Sequence, residues 1–177
     1  MNFKTWKILA VVGLLFSLNL KVGAVPVNFD FSGGDITATG ELSMIANGDG
    51  SYTATSGHID ISGGAYPGDY NLVFNPNGTS MATSPLGFFP FDNQFFPAHA
   101  ESLLDVCGLL FNNPTGDFEV NLWGIGDSTY YIMGASPAGF PDWGTDADVT
   151  TPDGGLTAAM LGMGLLGLGW MRGIRTA

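Results

Sequence analysis

The chain has 177 residues, enough for one ordinary domain, and a formal charge of −11 from 16 acidic and 5 basic residues. All five basic residues lie near the ends: Lys4, Lys7 and Lys21 at one, Arg172 and Arg175 at the other. The polyanion between them has only His58 and His99 as potential cations. This excludes a nucleic-acid binder, which needs Lys or Arg against phosphate, and any internal Lys or Arg ion pair.

Residues 1–24 have the layout of a secretory signal peptide. Lys4 and Lys7 form the charged region, Ile8 to Leu20 the apolar region, and Val22-Gly23-Ala24 the small residues before a cut after Ala24. The apolar run is shorter than the roughly 20 residues of a spanning helix.

Residues 25–134 predict a single antiparallel β domain of about eight strands, a sandwich or flattened barrel. Val27, Phe29 and Phe31 alternate with polar residues, as do Ile59 and Ile61, and Phe118, Val120 and Leu122. Asn47-Gly48-Asp49-Gly50, Pro76-Asn77-Gly78 and Thr115-Gly116 are among the turn signals between the runs. The single Cys107 cannot form an internal disulfide, and its apolar neighbours predict a buried side chain. Residues 135–150, with Pro137, Gly139, Pro141, Gly144 and three aspartates, predict a flexible spacer.

No set of residues in the β domain has the pattern of a catalytic site, and none is assigned. Asp117 and Glu119 share a strand face at glycosidase-like spacing, but the expectation is a solvated face. His99, Cys107 and Glu101 carry no nucleophile motif, and His58, His99 and Cys107 have no zinc-ligand spacing. No metal site or cofactor is assigned. Asn47 to Ser51 resembles half of an EF-hand loop but lacks the closing Glu, so a hairpin turn is the better reading. Asp142, Asp146 and Asp148 add a loose oxygen cluster, and weak, non-specific Ca²⁺ binding is expected of so acidic a chain. Pro85 to Pro97 holds five phenylalanines, Phe88, Phe89, Phe91, Phe95 and Phe96. They read as rings folded over an open end of the core, in preference to a sugar-stacking surface, because Phe has no polar handle.

A second apolar run, Leu156 to Met171, carries no charge and ends at Trp170 with Arg172 and Arg175 following. With Gly154 and Gly155 it reaches about 27 Å as a helix, enough for a thin bilayer, with the basic end favouring the cytoplasmic side. Gly162-Met163-Gly164-Leu165-Leu166-Gly167 matches a dinucleotide fingerprint in letters only, since no acidic residue follows it. Its glycines suit close packing of a membrane helix.

Thr151-Pro152-Asp153-Gly154-Gly155, an apolar helix and then arginines resembles a PEP-CTERM sorting signal, in particular the variant reading Val-Pro-Asp-Ser-Gly. Thr151 stands in place of Val, Gly154 in place of Ser, and Gly173 and Ile174 split the basic cluster. The resemblance covers residues 151–177. It implies an exported bacterial cell-envelope protein, held first in the inner membrane by its C-terminal helix. An exosortase-like membrane protease would process it near Pro152-Asp153, and it would end at the cell surface or outside. The link of such systems to exopolysaccharide implies a non-enzymatic matrix or surface component with extracellular polysaccharide as partner. Asp92-Asn93-Gln94-Phe95-Phe96-Pro97 also resembles an element recurring in β domains that carry such tails, with no activity implied. The alternatives are a carbohydrate-binding β-sandwich module and a secreted hydrolase. Pro152 and the glycines after it keep the backbone out of helix, as a protease requires of its substrate.

Overall fold

The structure, a computed structural model, describes residues 24–97, 102–126 and 128–150. The signal segment, His99, Glu101, the sorting motif Thr151 to Gly155, the apolar tail, Arg172 and Arg175 lie outside these residues; Ala24, the last residue before the expected cut, is described and exposed.

The described chain is all-β and antiparallel, with no helix. Its elements are β1 (Val25–Gly33), β2 (Ile36–Ala46), β3 (Tyr52–Ser62), β4 (Gly68–Leu72), β5 (Ala82–Thr83), β6 (Pro90–Phe91), β7 (Gln94–Phe95), β8 (Leu109–Asn112), β9 (Glu119–Gly124), β10 (Tyr130–Ser136) and β11 (Gly139–Thr150). Nine of these form one sheet that curls into a half-barrel, and β5 and β6 form a separate hairpin. Pairings run in a circuit from β1 through β2, β3, β4, β8, β9, β10 and β11 back to β1. Two joints of that circuit are thin. β4 meets β8 only at Asn71↔Asn112 and Leu72↔Phe111, and β1 meets β11 at Asp30↔Thr150, Phe31↔Val149 and Ser32↔Asp148.

Alternation of side chains builds the inner face. Val27, Phe29 and Phe31 of β1, Ile36, Leu42 and Met44 of β2, and Ile59 and Ile61 of β3 are buried. The ring of Phe29 stacks on Phe31 and, at 6.1 Å, on Phe111 from the facing wall. A bulge lets β3 run as one strand of 11 residues. Ser43 pairs with Ser56 and Met44 with Ala54, so Thr55 is the extra residue and Ala54 turns inward out of phase with Ile59. The two strands approach so closely that a Cβ on Gly40 would strike the carbonyl of His58, and one on Gly57 that of Glu41.

The segment expected as a spacer, 135–150, is sheet. β10 runs on to Ser136, and β11 pairs along β10 and then with β1. The prolines and glycines that suggested a linker fall where a strand tolerates them: Pro137 is in the turn, and β11 has no partner but β10 until Asp148 among the described residues.

A second apolar layer lies on the outer face of β8–β10. There Leu110 and Ala135 are buried against Ala82, Phe89 and Phe91 of the segment that carries the β5–β6 hairpin. The sheet is therefore covered on both faces at β8 and β9, where neither face alternates with solvent.

The strand directions define two poles. β1 begins at one pole and β11 runs toward it, because the two are antiparallel neighbours, with Thr150 opposite Asp30. The turn 47–51, the stretches 73–81 and 102–108, and the turn 125–129 belong to this exit pole. The turns 34–35, 63–67, 113–118 and 137–138 form the opposite pole.

Candidate functional site

The richest polar cluster sits where the 92–94 segment crosses the start of β8. Asn93 is fully buried with φ 58°, a left-handed conformation that Asn tolerates better than most residues. Its side chain donates to the Val73 carbonyl at 2.8 Å and accepts from the Leu110 amide at 3.2 Å, bridging the two chains at the thin β4–β8 joint. Its backbone amide donates to Gly108 O, and its carbonyl accepts from Ala54 N, tying β3 to the same point. Asn75 Nδ2 adds bonds to the carbonyls of Gly78, Ser80 and Asp92. A Cβ on Gly108, at φ +66°, would strike the carbonyl of Leu122 and come within 2.7 Å of Trp123 Cα, so only glycine fits there.

Asp92 is 4% exposed. Its Oδ1 accepts from Gln94 N at 3.0 Å and its Oδ2 from Gln94 Nε2 at 3.0 Å. Asp105 Oδ1 accepts from the amides of Cys107 and Gly108 at 2.9 and 3.0 Å. One ligand atom each from Asp92, Asp105 and Cys107 lies within 4.8 Å of the others. Burial first, then the neighbouring Asp105 carboxylate, pushes the Asp92 carboxyl up to about 6, partly offset by the Gln94 hydrogen bonds. The Cys107 thiol is pushed up to about 11, by burial first and then by the charges of Asp105 and Asp92. At neutral pH it is a thiol, and so a poor nucleophile. Cys107 is half-buried, lining this acidic cluster, and not the fully enclosed apolar residue expected from its neighbours.

Glu119 overturns the expectation of a solvated strand face. Asp117 is exposed in the turn before β9, where Thr115 Oγ1 and Asn113 Nδ2 donate to its Oδ1 and hold its carboxyl below the usual range. Glu119 is fully buried beneath the 84–89 loop, with Oε1 accepting from Leu86 N at 2.9 Å and Oε2 unpartnered among the described residues. Period-two alternation put it outside correctly; what it could not show is that a second layer covers that side.

The other candidates separate. His58 is exposed on β3, and Asp146 and Asp148 are exposed on β11. Asn47 to Ser51 is a hairpin turn between β2 and β3, as expected. Asp49 Oδ1 accepts from Ser51 N and Oγ, and the Ser51 hydroxyl foremost lowers the Asp49 pKa. Phe89, Phe91 and Phe95 are buried, in keeping with rings folded onto the core. The half-exposed Trp123 stacks on Tyr131, its partner across β9 and β10, with centroids 5.8 Å apart.

The carboxyls of Asp92, Asp105 and Glu119 thus hold backbone amides, and the site's chemistry is that of a hydrogen-bonded clasp. The chain matches none of the known protein families, curated proteins or solved structures with which it was compared.

Proposed function

We propose that the protein is an exported cell-envelope component. It is sorted through residues 151–177 by an exosortase-like membrane protease, and its β domain serves outside the cell as a non-enzymatic surface or matrix element associated with exopolysaccharide. The observation that carries the reading is the charge geography: no Lys or Arg occurs between Lys21 and Arg172, and the basic residues flank two apolar runs. Basic residues stay on the cytoplasmic side while the acidic body is delivered across. In this reading residues 1–24 act as a signal helix and 156–171 as a membrane helix. The non-enzymatic part is supported by Asp92, Asp105 and Glu119, whose buried or half-buried carboxyls are engaged by Gln94, by Cys107 and Gly108, and by Leu86.

Mass spectrometry of the protein taken from its native envelope tests both ends together. The expected mature N-terminus is Val25, and the expected C-terminus falls within Thr151 to Gly155. An intact Ala177 removes the sorting step, and a full-length chain in the cytosol with Met1 retained removes export.

A further inference from the structure

We infer that the outer face of β9, β10 and β11 carries a sugar-binding platform, built on Trp123 and Tyr131 with Asp146 beside them, that takes an uncharged polysaccharide chain. The inference rests on the proposed reading of the β domain as an exopolysaccharide-associated element, and deepens it by naming the site and the class of polysaccharide.

Strand register gathers the site. Trp123 of β9 stands opposite Tyr131 of β10, and Tyr131 stands opposite Asp146 of β11. Residues directly opposite in antiparallel strands project from the same face, so the three form one row across the sheet. That face is the outer one, because Leu122 and Ile132, the chain neighbours of Trp123 and Tyr131, are buried in the core. Phe29, Phe31 and Phe111 stack inside, whereas both rings of this pair are half-exposed and Asp146 is exposed. The two rings lie 26° from parallel with centroids 5.8 Å apart. Carbons in face-to-face contact sit about 3.5–4 Å apart, so the rings are offset and neither fully covers the other. On the β8 side, Gly108 comes so close that a Cβ there would lie 2.7 Å from Trp123 Cα, so no side chain stands beside the indole at that position. Asp148, two residues on from Asp146 and on the same face, is exposed opposite the exposed Ser32 of β1 and extends the polar end of the row.

A pyranose has an apolar C–H face and a rim of hydroxyls. The face stacks on an aromatic ring, and the rim hydroxyls donate to carboxylates in bonds stronger than those to neutral acceptors. Aromatic surface with a few placed polar groups is what holds and orients such a ligand. Other ligands that stack on rings fit less well. Nucleobases arrive with phosphates, and the described residues hold no Lys or Arg to meet them. A quaternary ammonium is best held where ring faces converge on one point, whereas these two are close to parallel. The carboxylates of Asp146 and Asp148, with His58 on β3 as the nearest thing to a cation among the described residues, repel uronate and sulfated chains. The polysaccharide that suits this face is therefore uncharged.

The test measures binding of the full chain, in a sugar-free non-ionic detergent, to beads carrying galactomannan, xyloglucan or dextran as uncharged probes and alginate as an acidic one. The wild type should bind at least one uncharged probe, with the same affinity at low salt and in about 1 M NaCl, and should not bind alginate. Trp123→Ala and Tyr131→Ala should each weaken that binding by about tenfold, and Asp146→Asn by about fivefold. Asp146→Asn, at an exposed position, keeps the test independent of any loss of fold in the ring variants, and Asp60→Asn, exposed on β3, should bind as the wild type does. Undiminished binding in all three site variants overturns the platform, puts the polysaccharide contact elsewhere on the protein and leaves the proposed function standing. Binding to alginate alone overturns the uncharged ligand, and the platform with it, and again leaves the proposed function standing. No binding to any of the beads overturns both the platform and the association with exopolysaccharide.

Discussion

At the scale of single residues, Asp92 is a carboxyl whose titration the fold displaces. Its carboxyl titrates near 6 in the fold and near 4 in an unfolded chain, so the fold favours the protonated form. The stabilisation is therefore complete below about pH 4 and is lost as pH rises through 6, an effect of order 2 kcal/mol. Asp49 and Asp117 act in the opposite sense. Turn hydroxyls lower their pKa values, so their contribution holds above about pH 4 and fades in acid. Comparing thermal unfolding of the wild type and Asp92→Asn from pH 4 to pH 8 isolates the first effect. The variant should show a flatter profile than the wild type between pH 4 and pH 8; a difference between the two proteins that does not change with pH would refute the assignment. Asn keeps an acceptor for Gln94 N but loses the one for Gln94 Nε2, a cost that does not vary with pH, so the slope of the difference against pH carries the titration.

At the scale of elements, the β5–β6 hairpin is the part whose attachment depends on few groups. It crosses the outer face of β8–β10, is held by Phe89 and Phe91, and is pinned at its tip by Glu119 Oε1 on Leu86 N. Removing one buried hydrogen bond costs about 1.4 kcal/mol, or roughly a tenfold rise in local opening. Glu119→Ala should accordingly raise chymotrypsin cleavage at Leu86 or Phe88 by about tenfold, while Asp117→Ala, at an exposed turn, leaves cleavage there unchanged. Equal cleavage of Glu119→Ala and wild type would show that the rings alone hold the loop. The Asp92-Asn93-Gln94 run, singled out in the sequence, proves to be the clasp at the weak β4–β8 joint. Its letters mark it as distinctive, but the carbonyl of Val73 and the amide of Leu110 that Asn93 serves lie 20 and 17 residues away.

At the scale of the whole molecule, β11 is what joins the first strand to the last part of the chain. A chain ended at Gly134 lacks the partner of both β1 and β10, leaving two unpaired edges beside the core. It should lose the cooperative urea transition shown by a chain ended at Thr150; a transition of the same midpoint in both would mean that β11 is dispensable. The same closure sets β11 beside β1 over three residue pairs.

Much of this was legible in the order of residues. Alternation along β1, β3 and β9 predicts strands with an inner apolar face, and the segregation of Lys and Arg to the ends is read directly from the sequence. Charge and periodicity are local properties, so a linear reading recovers them. The burial of Glu119, the strand at β11 and the meeting of Asp92 with Asp105 were decided only in three dimensions. Each depends on what covers the other side of a strand, and that covering is supplied by segments 13 to 120 residues distant in the chain. A carboxylate written in a strand looks outward to solvent until another layer closes over it.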